Sequence, residues 1–185
     1  MGVAERKTRE RDDRERRITA AARQIATAEG WDAVTIRRLA EAIEYSQPVL
    51  YAHFANRDAI VAAVAVDGFR ELADALRHAR DGRANGRDAI RAVAFAYLAF
   101  ASDQPAIYEA MFTLPAGLRF AEAHTPPAAR DAFEALAAVV PGDDTATETF
   151  WAALHGLVAL ERAGRIRASA REERLTLAVN GLLGY

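Results

Sequence analysis

The sequence predicts an all-α fold in two parts. Three observations carry that expectation. Half of the 185 residues are apolar (51%), enough to build a real core. Alanine is abundant and β-branched residues are sparse outside short runs, which favours helix over strand. Apolar residues also recur at three- and four-residue spacing between Gly, Pro and capping residues, the spacing that gathers them on one helix face. The expected division is a three-helix unit with a helix-turn-helix over 1–57, followed by a larger helical domain over 58–185.

The elements follow in order. Residues 1 to 10 are polar and are expected to fray. Arg6, Lys7, Arg9, Arg11, Arg14, Arg16 and Arg17 are interleaved with acids. Two readings stay open for them: a solvated helix face with ion pairs one turn apart, or an arm that touches DNA phosphates or a minor groove. Ile18, Ala22, Ile25 and Ala26 form the apolar side of a first helix, which stops at Gly30. Trp31 and Val34 are expected in the core. Thr35 fits the N-cap of a short helix carrying Ile36, Leu39, Ala40 and Ile43 on one face. Ser46 offers a second cap, Pro48 suits a first turn, and Leu50, Tyr51 and Phe54 give the next helix an apolar stripe. Two helices this short need a neighbour to lean on, and the first helix supplies it.

Asn56 caps a long helix over about 57–80, roughly 36 Å at 1.5 Å per residue. Residues 81–86, Asp-Gly-Arg-Ala-Asn-Gly, form a turn. Ala89 to Phe100 is apolar nearly all round and should be central. Asp103, Gln104 and Pro105 break it and start a short helix with Ile107, Tyr108, Met111 and Phe112, stopped by Pro115-Ala116-Gly117. Leu118 to Thr125 carries no decisive pattern. Pro126-Pro127 opens a helix reaching about Val140. Thr145 with Glu148 forms a capping box for the next helix, which ends at Gly164. Glu172 to Leu183 is the last, with Leu175, Leu177, Val179 and Leu182.

Within Thr35–Phe54 lies Thr-Ile-Arg-Arg-Leu-Ala, then Ser-Gln-Pro-Val-Leu-Tyr-Ala-His-Phe, followed by Asn56-Arg57-Asp58. These residues closely resemble the DNA-binding domain of the TetR family of transcriptional repressors. The likeness spans about the first third of the chain. One departure stands out: Glu44 occupies the turn where the family pattern has Gly, a place that favours positive φ. The resemblance implies that Thr35, Arg37 and Arg38 anchor the first short helix on phosphates. Gln47, Pro48, Val49 and His53 would face base edges, with Gln47 suited to adenine. Ser46, Tyr51, Asn56 and Arg57 would hold the DNA backbone and set register.

For the larger domain, two readings stand: a pure oligomerisation scaffold, or a scaffold that also encloses an effector pocket. The family resemblance implies both pocket and pairing. Trp151, His155 and Gly156 also match a Trp-x-x-x-His-Gly pattern found in one branch of the family. Phe95, Tyr97, Phe100, Tyr108, Met111, Phe112, Trp151 and His155 are the candidate lining, with Phe120 and Phe133 nearby in the pattern. Each aromatic also has a plain reading as core, and His155 as a structural histidine. Ala152, Ala153, Gly156 and Ala159 form a small-residue stripe flanked by Leu157, Val158 and Leu160, which suits a two-fold contact through the last two helices.

Charge gives little direction. Formal net charge is −2. Residues 1–57 hold eleven Lys/Arg against nine Asp/Glu, and the remainder thirteen against seventeen. There are no cysteines, so no disulfide or thiolate metal site is possible. The four histidines are far apart, and no Gly-rich phosphate loop or nucleophile elbow is present. No enzyme, cofactor, metal or membrane segment is expected. The chain reads as a cytoplasmic homodimer whose partners are a double-stranded DNA operator and a small, largely apolar effector. A helical protein-interaction module without DNA binding is the competing class.

Overall fold

The structure is a computed structural model and describes residues 2–84, 86–114 and 125–184. The expectations for Asn85, the Pro115-Ala116-Gly117 stop, and Leu118–His124 with Phe120 fall outside the described residues. Among the described residues there are nine α-helices and no strand: α1 Val3–Glu29, α2 Ile36–Ala42, α3 Gln47–His53, α4 Arg57–Arg80, α5 Arg87–Asp103, α6 Pro105–Phe112, α7 Pro127–Ala137, α8 Asp144–Arg162 and α9 Arg171–Leu183. None is long and apolar enough to cross a membrane.

By packing, the chain divides into two compact units, one of residues 1–68 with 104–124 and one of 69–103 with 125–185. This partition differs from a linear cut after residue 57. The reason is physical: α4 continues through that point as unbroken helix, and α6 returns to pack with α1 in the first unit.

In the first unit, α1 begins at Val3 instead of fraying to residue 10. Ion pairs one turn apart line its outer part: Arg6 with Glu10 at 3.8 Å, Arg11 with Glu15 at 2.8 Å, and Arg16 with Asp13. Such exposed pairs add only a few tenths of a kcal/mol each, so the helix is chiefly held by continuity with its buried half. Ile18, Ala22, Ile25, Trp31, Val34, Leu39, Leu50, Ile60 and Val61 are all buried. Gly30 takes φ 85 and ends α1. The Trp31 indole N–H donates to the Ala106 carbonyl at 2.7 Å, and Arg23 donates to Gln104 Oε1 at 3.1 Å, tying α6 to the front of the unit. α4 and α6 approach closely at Gly68. A Cβ there would stand 2.6 Å from Ile107 Cγ2 and 2.8 Å from Met111 Sδ.

The second unit is built on α5, which packs against α8 and α9, with α7 on α8. Ile90, Val93, Tyr97, Leu98, Leu136, Phe150, Leu154, Leu175 and Val179 form its core. Each large aliphatic buried there removes apolar surface worth about 1.5–3 kcal/mol. α8 is capped by Asp143, whose carboxylate accepts from the Ala146 amide at 3.1 Å. This replaces the expected Thr145–Glu148 box, because the helix starts one residue before Thr145. Val158, expected on a pairing face, is buried inside this unit. Glu161 is nearly enclosed and accepts from Arg171 at 2.8 Å and Arg174 at 2.7 Å.

Candidate nucleic-acid interface

α2 and α3 form the helix-turn-helix. The Thr35 hydroxyl accepts from the Arg38 amide at 3.1 Å, capping α2. The turn that follows has a definite form. The Tyr45 amide donates back to the Ala40 carbonyl at 2.9 Å and the Glu44 amide to the Glu41 carbonyl at 3.4 Å, with Glu44 left-handed at φ 57. That is a Schellman stop, and its left-handed position ordinarily takes glycine. Among the described residues Glu44 alone combines a side chain with positive φ.

α3 lies across α1. Its inner side carries Leu50, fully buried, with Phe54 half-buried at its end. At its front, Arg17 donates to the Tyr45 hydroxyl at 2.8 Å and lies 4.9 Å over that ring. At its far end, His53 Nδ1 sits 3.4 Å from Glu15 Oε1. Arg11 donates to the same carboxylate and, with His53 adding to it, holds Glu15 below the usual carboxylate range against the opposing cost of partial burial.

The exposed face of α3 therefore consists of Gln47, Pro48, Tyr51 and Ala52. This corrects two expectations. His53 does not stand on the outer face: its side chain is only 8% exposed and faces α1. Tyr51, expected in the apolar stripe, is 54% exposed. Val49 is half-buried. On a helical wheel Val49 and His53 share one flank of Leu50 and Gln47 and Tyr51 the other; packing decides between them, because α1 covers the His53 flank through Glu15. Ser46 sits at the N-cap of α3 but its hydroxyl does not cap.

The basic residues are placed unevenly. Arg37 is 80% exposed, 3.8 Å from Glu41. Arg38 pairs with Glu29 at 2.6 Å. Arg57 turns inward: Nε donates to the Val34 carbonyl at 2.9 Å and Nη2 to the Trp31 carbonyl at 2.7 Å. It is a splint between α4 and the turn after α1, a role that spacing alone did not reveal. Asn56 caps α4, its Oδ1 accepting from the Ala59 amide at 2.8 Å.

The comparisons with known proteins agree with this geometry. Residues 18–64 match the model for bacterial regulatory proteins of the tetR family, and residues 90–181 match a tetracyclin repressor-like C-terminal domain. The chain belongs to the TetR family of transcriptional regulators. It is similar to an uncharacterized HTH-type transcriptional regulator of Mycobacterium tuberculosis, Rv0681, at 32% identity, covering 80% of this chain and 69% of that one. Two solved structures share the fold. One is a protein of unknown function from Rhodococcus sp. RHA1, with TM-score 0.74 and 24% identity over 91% of this chain and 92% of that one. The other is a TetR transcriptional regulator from the same source, with TM-score 0.68 and 21% identity over 93% and 97%.

In a TetR-type regulator the second candidate site is the helical C-terminal domain, and here the candidate lining is split between the units. Tyr108, Met111 and Phe112 lie on α6 in the first unit, where the Tyr108 and Phe112 rings are 4.7 Å apart. Phe95, Tyr97, Phe100, Trp151 and His155 lie in the second. There the Trp151 indole N–H donates to the Tyr97 hydroxyl at 3.0 Å, and Phe133 meets the Trp151 ring edge-on at 6.4 Å. His155, one turn along α8, is half-buried, and burial pushes its pKa down, favouring the neutral ring.

Proposed function

We propose that this regulator is a homodimeric repressor that binds an inverted-repeat operator and is released by a small, largely apolar effector. One observation carries the DNA reading: a capped helix-turn-helix whose second helix leaves Gln47, Pro48, Tyr51 and Ala52 exposed along one face. A polar amide beside small and aromatic groups suits base edges in the major groove. Gln47 reads a base, Pro48 packs beside it, and Ser46, Tyr51 and Thr35 contact the sugar-phosphate backbone with Arg37 and Arg38. Asn56 supports that register through its cap. Arg57 and His53 serve by holding the reading unit together. DNA reading belongs to residues 1–57, effector binding and pairing to 58–185, and the protein works in the cytoplasm beside its target.

Pairing runs through α8 and α9. Ala152, Ala153 and Ala159 are exposed, with Leu160 at 45% and Leu177 at 70%. The same patch meeting its copy would bury them and set two reading helices about one turn of DNA (~34–36 Å) apart. The effector reading rests on the Tyr97–Trp151–His155 group, an aromatic wall with a polar edge. Its binding would tilt α4, shared by both units, and draw the two heads out of register. This requires tighter binding to the released state.

The test is a gel-shift titration with DNA from upstream of its own gene, across a salt series. A repressor gives a steep salt slope and a sequence preference, whereas a module that binds only protein gives neither. In the same assay Gln47→Ala is expected to relax preference at one base pair by ~1–3 kcal/mol. Equal weakening on every sequence would remove Gln47 from the base-reading role.

A further inference from the structure

Residues 1–17 precede the segment that matches the family model, yet α1 is continuous through them from Val3. One line along this overhang carries basic residues and no acid. Lys7, Arg11 and Arg14 recur at four- and three-residue spacing, within roughly 60° of the helical wheel. Their line continues into Ile18, Ala22 and Ile25, the residues that α1 buries. Glu5, Asp12 and Asp13 fall on the opposite side, together with Arg9 and Arg16. Glu10 and Glu15 flank the line but are committed, Glu10 to Arg6 and Glu15 to Arg11 and His53. Among the described residues the side chains of Lys7 and Arg14 make no hydrogen bond or ion pair.

The basic line points to the side of α3. Arg17 touches Tyr45 ahead of α3, and Glu15 touches His53 at its end. α3 thus crosses under α1 near residues 15–18. The basic line emerges beside it and runs on about 10 Å from Arg14 to Lys7 at 1.5 Å per residue.

We propose that this overhang is a phosphate-binding rail, laid on the DNA backbone next to the base pairs beneath α3. It rests on the reading of α3 as the DNA-contacting helix. Lys7 and Arg14 displace counterions from the duplex, and Arg11 shares its guanidinium between Glu15 and a phosphate. Such contacts add affinity without sequence preference. They supply local positive charge in a chain whose formal net charge is −2.

Because the term is sequence-independent, a mixed-sequence duplex of about 40 base pairs suffices as probe. Its binding to the full chain is followed by fluorescence anisotropy over a salt series. The Lys7→Ala/Arg14→Ala variant is expected to lower the slope of log K against log salt by about two per subunit. The control, Arg6→Ala/Arg16→Ala, removes the same charge off the line and is expected to leave the slope unchanged. All four side chains are exposed, and circular dichroism checks that both variants stay folded. An unchanged slope in the first variant overturns the rail, as do equal losses in both, which would reduce it to bulk charge. If the wild-type chain binds no duplex at all, the DNA reading itself falls and the rail with it. If the wild type binds and the first variant matches it, the rail alone falls.

Discussion

Replacing Glu44 by glycine should stabilise the protein. Glu44 holds φ 57 at the end of α2, locked there by the Tyr45 and Glu44 amides bonding back to Ala40 and Glu41. A side chain in the left-handed region costs about 1–2 kcal/mol, because Cβ crowds the following carbonyl. Glycine escapes that crowding but loses roughly 0.5–1 kcal/mol more chain entropy on folding. The net gain is about 0.5–1 kcal/mol, or roughly 1–4 °C in Tm for a chain of this size. Glu44→Ala separates strain from charge. It removes the same carboxylate but keeps Cβ, so its stability should stay within about 0.5 kcal/mol of wild type. Thermal and urea melts of the three proteins decide the matter. In an ordinary helix interior alanine beats glycine by about 1 kcal/mol; here the order should reverse. If Glu44→Gly melts no higher than Glu44→Ala, the turn stores no strain and the geometric account of it is wrong. Both variants should also bind DNA more tightly at low salt, with the gain fading as salt rises.

Three further outcomes follow from the packing. Gly68→Ala drives a methyl into Ile107 and Met111 and should cost about 1–3 kcal/mol in urea unfolding; a neutral result would mean that α4 and α6 separate freely. Trp31→Phe keeps one aromatic ring but removes the pyrrole half of the indole and the N–H that donates to the Ala106 carbonyl, for an expected loss of at least about 1–3 kcal/mol in the same measurement. Burial raises the Glu161 pKa, but Arg171 and Arg174 outweigh it and hold the carboxyl below its ordinary value of 4.5. The unfolded chain then binds the proton more readily, so this contribution is complete above about pH 4.5 and drains away as pH falls further. Melts between pH 7 and 3 should show that acid limb, and Glu161→Gln should flatten it.

The helices were legible in the sequence wherever a periodic face met a clear stop. α4 at Arg57–Arg80 and the end of α1 at Gly30 came directly from spacing and glycine. Boundaries failed where competing signals lay close together. Thr145 and Asp143 both suit an N-cap, and nothing local says which wins. The overhang of α1 was misjudged because a polar segment carries no apolar stripe, and its helicity is inherited from the buried turns behind it.

The candidate site was legible as a motif but not as a surface. A motif names residues in order, whereas exposure depends on which flank of Leu50 the neighbouring helix covers. His53 therefore read as a base contact and proved to be a contact with Glu15. Arg57 reads, with Ser46, Tyr51 and Asn56, as a residue that holds the DNA backbone, yet it turns inward. Its partners are the carbonyls of Val34 and Trp31, the latter already accepting from the Val34 amide at 3.1 Å at the end of a short 3-10 turn. A carbonyl has two lone pairs, so the turn can bind its own amide and still take a donor from elsewhere, and a charged donor that meets two carbonyls is held firmly. Arg37 beside Glu41 and Arg38 beside Glu29 are held only by exposed carboxylates. Exposed pairs of that kind are worth about 0–1 kcal/mol, so either side chain can leave its carboxylate at little cost to the fold, unlike Arg57.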